Sequence, residues 1–247
     1  MWHDASMKGK GIGFDLGAGA ILTAGLSAWL AEAWRGNGWP VLGGVAAYTL
    51  LAAILAHIRP DRTLSGWANR VTLLRAVIVC SLAGALIEPD LFRERAGAVI
   101  ALTLAALALD GLDGWLARRF DESSAFGARF DMETDAALIL VLCAALWLSG
   151  LAPAWVLAIG LMRPVFVLAG LLLPWLSRPL PDRFRRKLVC VVQVGALPTA
   201  LLPFLPEALR ATLLAGALLA LTISFALDTA WLFRHRRASQ PTQWRMP

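Results

Sequence analysis

The sequence predicts an all-α integral membrane protein of about eight transmembrane helices, a six-helix core preceded by two further helices. Three observations lead there. Of 247 residues, 58% are hydrophobic and only 16% charged; the mean hydropathy is +0.65; and the apolar residues fall into runs of about 20, long enough to cross the hydrocarbon as helices. An ordinary soluble domain is far less apolar.

The first run, at about 13–34, follows Lys8 and Lys10. It is long and passes into a second span without a small-residue cleavage site, so it reads as a retained helix and not as a signal peptide. The second run, 39–58, ends in the polar hinge Arg59-Pro60-Asp61-Arg62. Ser65-Gly66-Trp67-Ala68 then fits an interfacial helix with Trp67 at headgroup level. Six core spans follow at about 70–88, 96–117, 130–149, 151–175, 186–205 and 208–232. The organisation expected is a two-helix extension over 1–59, a catalytic core over 60–233 and a basic tail over 234–247.

The net charge of +6 and the pI near 10.0 do not point to nucleic acid, because the basic residues sit in short loops between apolar runs and no nucleic-acid motif accompanies them. Arg59, Arg62 and Arg70 follow span two; Arg118, Arg119 and Arg129 follow span four; Arg178, Arg183, Arg185, Arg186 and Lys187 follow span six; Arg234, Arg236 and Arg237 follow span eight. The intervening loops are poorer in base. The positive-inside rule therefore places both termini and the ends of spans four and five on the cytoplasmic side, in the inner membrane if the source is bacterial, with the basic loops meeting anionic lipid. Cys80, Cys143 and Cys190 lie in apolar runs without metal-ligand spacing and read as reduced packing residues.

The chemistry is concentrated between Asp110 and Asp135, in the pattern D-x2-D-G-x2-A-R-x8-G-x3-D-x3-D. On a helix, Asp110, Asp113, Gly114 and Ala117 form one stripe, and Gly127, Asp131 and Asp135 form another. Glu133 sits two residues off and points away. The short connection from Arg119 to Ala125 makes the two helices antiparallel neighbours, so four carboxylates can converge. Like charges at membrane depth repel unless a cation lies between them. Hard oxygen donors in that number suit Mg²⁺ or Mn²⁺, with two ions expected. The small residues let a bulky ligand approach the backbone, and Arg118, about 12 Å along the helix from Asp110, is a planar donor suited to phosphate. His3, His57 and His235 are distant in sequence, and no catalytic Ser, Cys or His pair stands out.

All eight positions of this pattern resemble the signature of the CDP-alcohol phosphatidyltransferases. The resemblance covers roughly residues 60–233. It implies transfer of a phosphatidyl group from a CDP-activated lipid, CDP-diacylglycerol, to a small alcohol with release of CMP, in a homodimer among membrane lipids. It also implies metal binding by Asp110, Asp113, Asp131 and Asp135, with Asp135 as the base that deprotonates the acceptor. Gly114, Ala117, Arg118 and Gly127 would hold the CDP end, joined by Asn69 and Thr72 of Asn69-x2-Thr72-x2-Arg75, which resembles the family's N-x2-T-x2-R stretch. Taken alone, those three residues are better explained by helix capping and a positive-inside arginine.

Arg163 and Lys187 are the acceptor-binding candidates. A cation halfway along span six should face a cavity or a salt-bridge partner. The family often has Arg-Glu near this point, whereas this chain has Arg163-Pro164. Lys187 and Gln193 match the ends of the family's K-x-K-T-x2-Q stretch, with Val189 and Cys190 in place of its inner lysine and threonine. Asp228 is followed by Thr229 where the family has Asp-Tyr, and reads as structural. The bases favour a phosphorylated polyol such as glycerol 3-phosphate as acceptor. Two other readings of the aspartates stand beside this one: a prenyltransferase-like magnesium enzyme acting on pyrophosphate, and a divalent-cation transporter.

Overall fold

The computed structural model describes residues 4–32, 38–57, 67–120, 125–178 and 184–235, with side chains from residue 14 onward except 56, 117, 118, 125 and 187. Every regular element among the described residues is helical: α1 (Asp4–Glu32), α2 (Trp39–His57), α3 (Trp67–Ala85), the single turn α4 (Leu91–Glu94), α5 (Ala96–Arg119), α6 (Ala125–Leu148), α7 (Leu157–Leu172), α8 (Phe184–Ala200) and α9 (Glu207–His235). Short 3-10 turns at Ala154–Val156 and Pro174–Ser177 flank α7.

Prolines set the helix ends that hydropathy alone leaves open. The apolar run 151–175 contains an α-helix only over Leu157–Leu172, because Leu173, held by Pro174, takes up φ −124° and ψ 86°. Likewise α8 stops at Ala200, ahead of Pro203 and Pro206. The hinge residues 59–62, with Ser65 and Gly66, lie outside the described residues, as do 236–247 of the tail; Trp67 and Ala68 open α3.

Among the described residues five stretches are long and apolar enough to cross a membrane, Phe14–Glu32, Trp67–Ala85, Ala96–Leu116, Ala154–Leu172 and Glu207–His235, and Trp39–Leu55 is apolar but shorter. The two remaining long helices begin with charge. Arg129, Asp131, Glu133 and Asp135 open α6, and Arg185, Arg186 and Lys187 open α8. The chain is a multi-pass membrane protein.

Its hub is α3. Of the α3 span 78% is buried, against 22–28% of the other four spans, and α3 packs on α1, α2, α5 and α6. A helix enclosed in this way can hold polar side chains only where they meet partners. Its contact with α2 is close enough to require glycine: a Cβ on Gly84 would lie 2.3 Å from the Gly44 nitrogen and 2.3 Å from the Pro40 carbonyl oxygen. The main core runs from Leu82 and Phe92 through Leu146 and Val156 to Leu197 and Leu214.

The last two helices are tied together by arginines. Arg210 Nε donates to the Ala200 carbonyl at 2.8 Å, one that the end of α8 leaves open, and Nη2 to that of Leu202 at 3.1 Å. Arg185 donates to Asp228 Oδ1 at 2.6 Å and to the Ser224 carbonyl at 2.5 Å, which gives Asp228 a structural partner. The cysteines are free thiols; Cys80 and Cys143 are buried, Cys190 exposed.

Replacing Gly84 by leucine should force α2 off α3. Overpacking of this kind costs about 1–3 kcal/mol, so thermal unfolding in detergent micelles should shift down by several degrees; an unchanged midpoint would contradict the close approach.

Candidate active site

Three helical stripes meet at the charged ends of α5 and α6. On α3, Asn69, Thr72 and Arg75 recur every three residues; on α5, Asp110, Asp113 and Gly114 share a face; on α6, Gly127, Asp131 and Asp135 do the same. The short connection leads one to expect α5 and α6 to meet directly, yet α5 packs chiefly on α3, and α6 on α7 and α3. A helix that contacts both carries the group that joins them.

That group is Arg75. Its side chain is 1% exposed, and its guanidinium reaches all four aspartates. Nη1 lies 3.1 Å from Asp110 Oδ1 and 3.0 Å from Asp113 Oδ2 and also pairs with Asp131 Oδ1, while Nη2 pairs with Asp135 Oδ1. Asp113 is itself 5% exposed and has a second donor, Thr72 Oγ1, at 3.0 Å. Charge-assisted bonds of this kind offset the desolvation of a buried carboxylate, which alone would be costly. Arg75 Nε is buried without a hydrogen-bond partner.

Asp110, Asp113 and Asp131 each offer a carboxylate oxygen within 4.8 Å of the others. A hard divalent cation fits such a donor set. Asp135 stands one step away, on the cavity side. Asn69 is buried on the α3 stripe, and Gly114 and Gly127 are half-buried beside the cluster. The side chains of Ala117 and Arg118 on α5 and of Lys187 on α8 lie outside the described residues. Glu133 is exposed and away from the cluster, where its Oε1 accepts a bond from Arg163 Nη2 at 2.8 Å.

A family model described as CDP-alcohol phosphatidyltransferase matches residues 66–227. The chain belongs to the CDP-alcohol phosphatidyltransferase family. All eight positions of the Asp110–Asp135 pattern fall inside that match, with the Asn69 stripe, Arg163 and Lys187. Membership in this transferase family sets aside the prenyltransferase and cation-transporter readings. A Drosophila melanogaster protein named "Probable cardiolipin synthase (CMP-forming)" is 32% identical over 122 residues, 48% of this chain and 36% of that protein. The chain therefore spans little more than a third of that curated relative. No solved structure matches it.

For a CDP-alcohol phosphatidyltransferase, the space beside the aspartates matters as much as the cluster. A cavity of about 310 Å³ opens between α6, α7, α8 and α9. Asp135, Arg163, Arg186, Gln193 and Asp228 supply its polar wall, and Ile139, Ile159, Phe166, Leu221 and Phe225 much of its apolar wall. Phe166 and Phe225 meet edge to face at 5.3 Å. Gln193 is 4% exposed, and its Nε2 has no hydrogen-bond partner; Arg163 Nε is likewise buried and unpartnered.

Sequence reading left Arg75 out of the site, because an arginine near a helix start is explained by topology alone. A signal was available. Four acidic groups at membrane depth demand a cation, and Arg75 shares a helical face with Thr72 in an otherwise apolar stretch. Arg186 gave no such signal, since it is one of several bases in a positive loop.

Thr72→Val removes the second donor to Asp113 while keeping side-chain volume. Leaving that buried oxygen short of a partner should cost about 1–3 kcal/mol, read as a lower unfolding midpoint in chelator; no change would show that the hydroxyl does not support Asp113.

Proposed function

We propose that the protein transfers a phosphatidyl group from a CDP-activated lipid, CDP-diacylglycerol, to an alcohol and releases CMP. One observation carries this reading: four aspartates from two helices converge on one cationic point, and of the four only Asp135 also borders the 310 Å³ cavity. In this reading residues 60–233 form the catalytic unit, with 1–59 as an extension and 234–247 as a basic tail. The active protein is a homodimer with both termini and the site toward the cytoplasm, as the basic loops indicate.

Asp110, Asp113, Asp131 and Asp135 would hold the metal, two Mg²⁺ or Mn²⁺ ions. Bound there, divalent cations supply charge neutralisation to the pyrophosphate and to the departing CMP. Gly114, Ala117, Arg118, Gly127, Asn69 and Thr72 shape and hold the CDP end. Asp135, facing both cluster and cavity, takes the proton of the acceptor hydroxyl. The alcohol oxygen then bonds to the lipid-bearing phosphorus as its bond to CMP breaks, in one displacement without a covalent enzyme intermediate.

The acceptor occupies the cavity. Arg163, with Lys187 and Arg186 on α8, favours a phosphate-bearing alcohol, and the small polyol glycerol 3-phosphate is the first candidate. The cavity's apolar wall and the name of the Drosophila relative favour a second, a lipid whose head group carries a phosphodiester and a free hydroxyl. Both share the phosphate that the arginines would recognise.

Purified protein with CDP-diacylglycerol should release CMP only when divalent metal and a suitable alcohol are present. Asp135→Asn should reduce turnover by at least about 10²-fold while CDP-lipid binding persists; near-normal CMP release would refute the role of base. A panel containing glycerol 3-phosphate, phosphatidylglycerol, inositol phosphate and serine, scored by lipid product, decides the acceptor. Turnover with serine alone would overturn the phosphate reading.

A further inference from the structure

The aspartate cluster already contains a cation, and it occupies the place a metal needs. Arg75 Nη1 lies 3.1 Å from Asp110 Oδ1 and 3.0 Å from Asp113 Oδ2 and pairs with Asp131. These are the three carboxylates whose oxygens lie within 4.8 Å of one another. A divalent ion drawn to those oxygens would bind them at about 2.0–2.6 Å, which leaves no room for a guanidinium nitrogen among them. The two cations exclude each other.

Resting on the reading that these aspartates hold metal, we infer that Arg75 is the site's built-in counter-ion, holding the four carboxylates together in the metal-free protein and competing with metal for them. Three features make the exchange workable. Arg75 stands on α3, the most enclosed helix, so a guanidinium that leaves the carboxylates stays beside the site. Thr72 holds Asp113 independently, so the cluster keeps an anchor when the guanidinium moves. The unpartnered Nε shows that the guanidinium is incompletely satisfied where it lies.

Charge gives the exchange its direction. Two divalent ions balance four carboxylates, which releases the guanidinium from them. Arg75 is thus a positioning residue. It sets metal affinity and keeps like charges from forcing the helices apart before metal arrives.

The test uses the full-length protein in detergent, stripped with chelator and titrated with Mn²⁺ by electron paramagnetic resonance, without substrate. Arg75→Gln should tighten Mn²⁺ binding by about ten-fold or more, because the competing charge is gone. The same variant should unfold at a lower temperature than wild type in chelator and recover most of the difference in Mn²⁺. Arg75→Lys, a point charge that spans fewer carboxylates, should tighten binding severalfold, and it carries the test should Arg75→Gln not fold. Mn²⁺ affinity at or below wild type in these variants would overturn the inference, as would equal losses of unfolding temperature with and without Mn²⁺, which mark a merely structural arginine. If the wild-type protein binds no Mn²⁺, the metal reading itself fails and the inference falls with it.

Discussion

A buried guanidinium surrounded by four aspartates is the interaction on which the rest of this protein depends. Carboxylates gathered inside a membrane protein drive their helices apart unless positive charge lies between them. Arg75 provides that charge from a helix with 78% of its span buried, which explains why α3 and not the α5–α6 pair lies at the centre of the bundle. The apolar helices around it supply the rigid frame. Gly84 lets α2 approach α3 closely, and Tyr48 and Leu55 of α2 join Leu73, Ala76 and Val77 of α3 and Phe130 of α6 in a second core.

The frame also separates two kinds of space. On one side the stripes of α3, α5 and α6 form a polar centre whose oxygens suit a hard metal and, through it, a pyrophosphate. On the other, α6 to α9 enclose a cavity with an apolar wall and a few polar groups, the usual composition of a small-ligand site. Asp135 belongs to both. A residue at such a junction can receive a proton from a molecule in the cavity while its neighbours hold the partner molecule, which is the arrangement a two-substrate transfer requires.

Much of this was legible in the sequence because the pattern there is dense. Asp110, Asp113, Asp131 and Asp135 announce their faces through spacings of three and four, and the helices carrying them do bring those faces together. Hydropathy gave the long helices, though not their ends: the 3-10 turn at Ala154–Val156 and Pro174 trimmed α7 for local backbone reasons that an average over twenty residues does not register. Arg75 stayed hidden for a different reason. Its role depends on tertiary contacts with Asp110, Asp113, Asp131 and Asp135, all remote in sequence, whereas topology accounts for an arginine at that point without any contact. The cavity was invisible in the same way: Gln193 matches a family stretch by sequence, but the space that it and Phe225 border exists only where α8 and α9 meet α6 and α7. Arg163 looked like a cation facing a ligand, and its pairing with Glu133 shows that a salt bridge and a cavity position can belong to one side chain.

A double-mutant cycle between Arg75 and Asp113 tests the central claim most directly. Arg75→Met, Asp113→Asn and the double variant would be compared with wild type by chemical unfolding in chelator, so that no metal intervenes. The account predicts that the two single losses fail to add, with a coupling of about 1–3 kcal/mol. Additive losses would mean that the guanidinium and the carboxylate do not meet, and that the aspartates are held together by something else.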